Sequence, residues 1–371
     1  MTPGSGELLA HRPALRPGVL LSPAMLRGPA TVHLVKGPDG GAFEVGPKEH
    51  FLISRLDGHR SLGEIGEEYA GTFGKRLAAP HWQRLLGLLG ARRLLAGDPR
   101  PAPEEPPTPR TGPLSGTALR GSVRLVADAD ATTARLHRLL RPALRPAPLI
   151  PLTAGLLLME GWLATRLPEL ARDTWWAFQQ PVVLLAVCTL LWLSTALHEL
   201  AHGVTARHHG GTVTEIGLRW RLPVAVMYCT VGNYPYLRGR WRQLAVAGAG
   251  AYANLLFLLP FLAWWAALPD GDPTRRALSA LLLLGSAQAL VNLVPLPPLD
   301  GYTMLGHALR VLHLGPESGR YLRLRFTDRA AAAAYPRRAR AVYLGYALGS
   351  VLLVVVLLTA LTVGLVLGLR T

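Results

Sequence analysis

The 371-residue chain is 50% hydrophobic and only 17% charged, where a soluble domain averages roughly 25%, which argues against an ordinary soluble protein. Its 39 lysines and arginines against 23 acidic residues leave a charge of +16. With a mean hydropathy of +0.26, that basicity fits loops facing anionic lipid, and no nucleic-acid partner is expected. Two cysteines, Cys188 and Cys229, exclude a disulfide framework and a four-thiolate zinc site.

Residues 1–31 scatter Arg12, Arg16 and Arg27 among prolines, with no apolar run of signal-peptide length, so a cytoplasmic N-terminus is expected. From residue 32 a small domain begins. Val32 and Leu34, then Phe43 and Val45, flank the turn Gly37-Pro38-Asp39-Gly40-Gly41 and predict two strands. Pro47 opens a helix that stops at Asp57-Gly58. Ser61 and Glu64 form a capping box ahead of Ile65, Tyr69 and Phe73. A third helix carries Trp82, Leu85, Leu86 and Leu89, and Leu94-Leu95 returns as a short extended piece.

The expected domains are a winged-helix-like α+β unit over 1–96, a stiff proline-rich linker over 97–116, a basic juxtamembrane helix over 117–145 and a membrane domain over 146–371. The fold class is mainly α, a polytopic helical membrane core behind the small α+β domain. About five spans are expected, at 146–165 (interrupted by Glu160), 174–197, 244–269, 277–299 and 341–369. Arginines concentrate in the loops after the second and fourth spans. The positive-inside rule therefore places those loops and the N-terminal domain in the cytoplasm of a multi-pass cell-membrane protein.

At the cytoplasmic end of the second span the sequence reads His198-Glu199-Leu200-Ala201-His202. Histidines at i and i+4 lie roughly 40° apart around a helix, so both imidazoles reach one zinc ion while Glu199 stands beside it as a base. Three ionisable groups directly after a long uncharged run need a partner or a task at that depth. A third protein ligand is required, with a fourth position left for water. His208, Glu215, Cys229 and Asp300 are the candidates. Asp300 is the strongest, because Asn292-Leu293-Val294-Pro295-Leu296-Pro297-Pro298-Leu299-Asp300-Gly301 ends the fourth span at the depth and face where the second span ends at His198.

HELAH followed by NLVPLPPLDG resembles the site-2 protease family of intramembrane zinc metalloproteases, over roughly residues 174–305. The resemblance implies His198, His202 and Asp300 as ligands of one Zn2+ and Glu199 as general base. Where the family often has Ala-Gly-Pro-x-x-Asn, this chain has Ala249-Gly250-Ala251-Tyr252-Ala253-Asn254, without the proline but with the asparagine. Residues 32–96 resemble PqqD-like domains that recognise leader sequences of ribosomally made peptides. The whole chain resembles peptide-maturation proteases, including the daptide type.

The expected function is therefore a membrane-embedded zinc metalloendopeptidase cutting the leader of a small peptide precursor near the cytoplasmic face, with the bilayer and peptide-modifying enzymes as further partners. Alternatives are cleavage of a membrane-spanning transcriptional regulator, or an inactive homologue serving as a docking or transporter-accessory protein. Asn254 and Asn292 are candidates to hydrogen-bond substrate or a developing oxyanion. The alternating stretch from Gly211 to Val231 is a candidate hairpin whose edge takes an extended substrate.

Overall fold

The structure is a computed structural model that describes residues 5–97, 114–117, 119–222 and 224–368; most of the stretch read as a linker lies outside them. In chain order come α1 (Ser5–Ala10), β1 (Leu20–Leu21), β2 (Met25–Arg27), β3 (Ala30–Lys36), β4 (Ala42–Val45), α2 (Pro47–Ile53), α3 (Leu62–Phe73) and α4 (Ala79–Ala91). Next are β5 (Leu114–Gly116), β6 (Arg120–Arg124), α5 (Ala129–Leu140), α6 (Pro146–Thr165), α7 (Leu167–Phe178) and α8 (Pro181–His208). Then follow β7 (Val213–Arg221), β8 (Val224–Val231), α9 (Arg240–Ala267), α10 (Pro273–Asn292) and α11 (Asp300–Leu309). The last are α12 (Leu314–Thr327), α13 (Arg329–Ala333) and α14 (Arg337–Gly368). Contacts divide the chain into two units, 1–110 with 310–371, and 111–309.

In the first unit the expected strand pair is β3 and β4, paired antiparallel from His33↔Val45 to Lys36↔Ala42. Ser61 and Glu64 make both hydrogen bonds of the capping box on α3, and Gly74 closes that helix at φ +67°, where a side chain would be strained. Ile53, Leu62, Ile65, Trp82 and Leu89 form the centre of the core. Leu94 is buried, and the expected extended piece runs beside residues 14–16, where Arg16 N–H donates to the Leu94 carbonyl (2.8 Å), Ala96 N–H donates to the Ala14 carbonyl (2.8 Å) and Leu95 bridges Leu15.

The strands β1 and β2 had no counterpart in the sequence reading. β2 explains why 310–371, read with the membrane domain, groups with the N-terminal residues. Leu26 N–H donates to the Arg310 carbonyl (2.8 Å) and Leu312 N–H to the Leu26 carbonyl (2.9 Å). The buried Tyr343 hydroxyl donates to the Gly28 carbonyl at 3.1 Å.

In the second unit β5, β6, β7 and β8 form an antiparallel sheet in that order. Residues 117–145 are therefore not one helix. Arg120–Arg124 pairs with β7 from Arg120↔Arg221 to Arg124↔Gly217, and only Ala129–Leu140 is helical. Asp128 caps α5, and Asp130 on its first turn pairs with Arg207 of α8 at 2.8 Å, docking α5 against that helix.

Among the described residues, four helices are long and apolar enough to cross a membrane: α6, α8, α9 and α14 over Arg337–Ala360. The reading of about five spans needs two corrections. Residues 174–178 belong to α7, because Pro181 starts a new helix after Gln179-Gln180. The segment at 277–299 contains α10, whose apolarity is diluted by Arg275, Arg276 and Gln288 and whose Leu278, Leu281, Leu282 and Ala289 are buried by protein. Pro295, Pro297 and Pro298 follow its end, and α11 starts at Asp300, a carboxylate favoured in a helix's first turn.

Candidate metal centre and its cleft

His198 and His202 lie one turn apart near the end of α8, and Asp300 comes from the first turn of α11. Asp300 Oδ2 stands 2.9 Å from His198 Nε2 and 3.3 Å from His202 Nε2, and the two Nε2 atoms are 3.1 Å apart. Donors around a tetrahedral ion with bonds of ~2.0–2.1 Å lie about 3.3 Å from one another, so the triangle is close to the size zinc requires. Asp300 Oδ2 is also buried without a well-aligned hydrogen bond. Close approach without alignment is what co-ligands of one cation show, and two imidazoles with a carboxylate are a zinc donor set.

The surroundings fix both rings. His202 Nδ1 donates to the Val246 carbonyl at 2.7 Å, which leaves Nε2 as a lone pair. Behind His198, Asn254 Nδ2 stands 3.2 Å from Nδ1, and Ser194 Oγ donates to Asn254 Oδ1 at 3.0 Å. An imidazole ligating through Nε2 carries its proton on Nδ1, and the same amide turned end for end accepts it. Glycines make room for this packing. A Cβ at Gly250 would lie 2.4 Å from the His198 ring, and one at Gly301 would lie 2.0 Å from the Leu293 carbonyl oxygen. Despite the missing proline, α9 runs unbroken through 249–254 and carries Asn254 to His198.

Glu199 points into a cleft of about 340 Å³ that His202, Asp300, Thr230, Tyr234 and Thr303 also line. Its Oε2 accepts from the Cys229 backbone N–H at 3.0 Å. A half-buried carboxylate beside two imidazoles and a second acid is the arrangement of a base next to a metal.

The chain is 30% identical over 215 residues to a protein of Mycolicibacterium smegmatis named "Putative zinc metalloprotease Rip2", a match covering 50% of this chain and 77% of that protein. It belongs to that zinc metalloprotease family. It is also 31% identical over 140 residues to "Putative zinc metalloprotease sll0528" of Synechocystis, covering 38% of this chain and 34% of that protein. No family model matches the chain, and no solved structure matches it.

The other ligand candidates of this metalloprotease chain lie outside the triangle. His208 faces His137, with His137 Nε2 3.2 Å from its Nδ1. Glu215 accepts from the Tyr228 hydroxyl at 2.6 Å. Burial, and next the Glu199 charge, push the Cys229 thiol up to about 12, and the sulfur is not among the ligand atoms that converge with His198, His202 and Asp300.

Asn254 is buried behind His198 rather than facing the cleft, so its geometry is that of a residue positioning the imidazole and not of an oxyanion donor. Asn292 ends α10 half-buried, with no hydrogen bond from its side chain to the described residues. The expected hairpin is β7 and β8, with β8 at the sheet edge next to α8. Sequence reasoning missed Ser194, Tyr234, Thr303 and the Val246 carbonyl. Only Ser194 carried a signal, since it lies one turn before His198 on the same face.

Proposed function

We propose that the chain is a membrane-embedded zinc endopeptidase of the site-2 type, cutting the leader of a small ribosomally made peptide near the cytoplasmic face. The observation that carries this reading is the His198–His202–Asp300 triangle with Glu199 beside it in a cleft. A zinc ion held by those three residues supplies Lewis acidity, polarising a carbonyl and acidifying water.

The chain's own groups do the rest. Glu199 takes a proton from the attacking water and passes it to the leaving amine, while the Cys229 N–H holds one of its oxygens in place. The two imidazoles, tied from behind by the Val246 carbonyl and Asn254, stay fixed through the reaction. The edge of β8 receives the substrate as an added strand. Pairing in β7–β8 is consistent with Met227 presenting its backbone groups outward, because the Cys229 N–H and Ala225 carbonyl on either side point away from β7 toward Glu199 and Trp192.

At 20 residues α10 is about 30 Å long, enough to span within the bundle. In this reading the N-terminal unit binds the precursor, and both it and the active site lie on the cytoplasmic side, as the arginine-rich loops favour.

Co-expression with short precursors encoded at the same locus, followed by mass measurement of the products, tests the reading. Cleaved leader is expected with the natural chain and intact precursor with Glu199→Gln. Processing at the normal rate by Glu199→Gln would refute the catalytic role. Cleavage of a membrane-spanning regulator, with the precursors untouched, would refute the substrate.

A further inference from the structure

The face of α8 away from the metal borders a second cavity, of about 400 Å³, that the protease reading does not use. Its walls are apolar side chains of α5, α6, α8 and α9 and of the turn before α6, among them Leu136, Ala143, Leu149, Leu200, Val204 and Phe257. Its polar contributors are Thr205 and Tyr252, and the Tyr252 hydroxyl is already 3.3 Å from Thr153 Oγ1. No Asp, Glu, His, Lys or Arg side chain lines it, so it offers no charge to a solute and only two hydroxyls. At ~30 Å³ per water-sized group, it holds roughly a dozen methylenes.

The rim is the opposite in character. Ala143 and Leu144, which line the cavity, are bracketed by Arg141 and Arg145, with Arg138 one turn earlier. All three arginines are exposed and make no ion pair with the described residues. The acid on α5's first turn, Asp130, is occupied by Arg207. Leu139 and Ile150, at 75% and 70% exposure, stand among these cations. Exposed leucine and isoleucine interleaved with arginine mark a surface lying at the boundary of headgroups and hydrocarbon.

From an apolar slot under unpaired cations at that boundary we infer that this cavity is a binding site for one anionic phospholipid. An acyl chain enters between α5, α6, α8 and α9, and the phosphate rests on Arg141 and Arg145. Leu200 and Val204 alternate on α8 with Glu199 and His202, so the bound chain packs directly behind the turn that carries the metal site. Binding itself does not depend on the protease reading.

Native mass spectrometry of the delipidated full-length protein, offered phosphatidylglycerol or phosphatidylcholine of equal chain length, tests the site. One phosphatidylglycerol retained per chain, with at least a tenfold preference over phosphatidylcholine, is expected. Arg141→Gln with Arg145→Gln, both on the exposed surface, should remove that preference. Ala143→Trp, which fills the slot, should cut retention at least tenfold, and Leu149→Phe, a milder intrusion from α6, should lower it in the same direction. Equal retention of both lipids by the natural chain overturns the inference. So does undiminished phosphatidylglycerol retention by the arginine pair, or by Ala143→Trp together with Leu149→Phe.

Discussion

The two ends of the 111–309 unit collect charged groups in opposite ways. At the end formed by α7 and the start of α10, charges neutralise one another. Arg275 Nη2 pairs with Glu169 (3.1 Å) and Asp270 (3.0 Å), Arg276 pairs with Asp173 (3.4 Å), and Ser279 donates to Asp173. The two guanidinium groups also lie over Trp265 and Trp176. At the end formed by α8 and α11, two imidazoles and a carboxylate crowd within about a ligand–ligand distance with no arginine or lysine pairing among them. The first cluster is complete as a structural clasp. In the proposed function the second is completed by a cation, and that difference separates a polar cluster that holds helices together from one that does chemistry.

Substitutions at the two ends should therefore fail differently. The largest effect is expected at the metal end, where His198→Ala should abolish both zinc binding and peptide cleavage, read by metal analysis and product mass. Glu199→Gln should lower turnover by about 10²–10⁴-fold while zinc stays near one per chain, and loss of zinc in that variant would contradict the role of a base outside the ligand set. Asn254→Ala should weaken zinc affinity by about 10–100-fold, measured by competition with a chelator, since Nδ1 of His198 loses its partner.

At the opposite end Arg275→Met should cost about 1–3 kcal/mol of stability with zinc content unchanged. The estimate sits below that of a fully buried pair because Asp270 is 92% exposed. The smallest effect belongs to the exposed pair of Arg166 with Glu169 (3.3 Å). There Arg166→Gln should shift stability by no more than about 1 kcal/mol. Zinc loss from Arg275→Met would erase the distinction between the two ends.

Much of this was legible in the sequence because it rests on periodicity and on breakers. The spacing of His198 and His202 fixes their common face in any helix. Pro295, Pro297 and Pro298 mark the stop that frees Asp300 to begin a new one. Ser61 and Glu64 show the start of α3 by capping chemistry alone.

What escaped depends on partners distant in sequence. Arg120–Arg124 is short, basic and glycine-containing, and becomes a strand because β7 lies beside it. Residues 174–178 are as free of charge as the span they adjoin, so only the Gln179-Gln180-Pro181 break separates them. The Val246 carbonyl that orients His202 has no side-chain signature, and the pairing of Leu26 with 310–312 joins segments nearly three hundred residues apart. Asn254 was legible as a polar group at helix depth. Its partner, and with it the difference between positioning a ligand and touching substrate, was not.

X-ray absorption at the zinc edge on the purified full-length protein addresses the assembly of the centre from α8 and α11. One zinc per chain is expected, with two imidazoles and an oxygen shell at ~2.0–2.2 Å, the oxygen contribution falling in Asp300→Ala. A sulfur shell at ~2.3 Å, such as the cleft-lining Cys229 would supply, or a spectrum unchanged in Asp300→Ala, would contradict it.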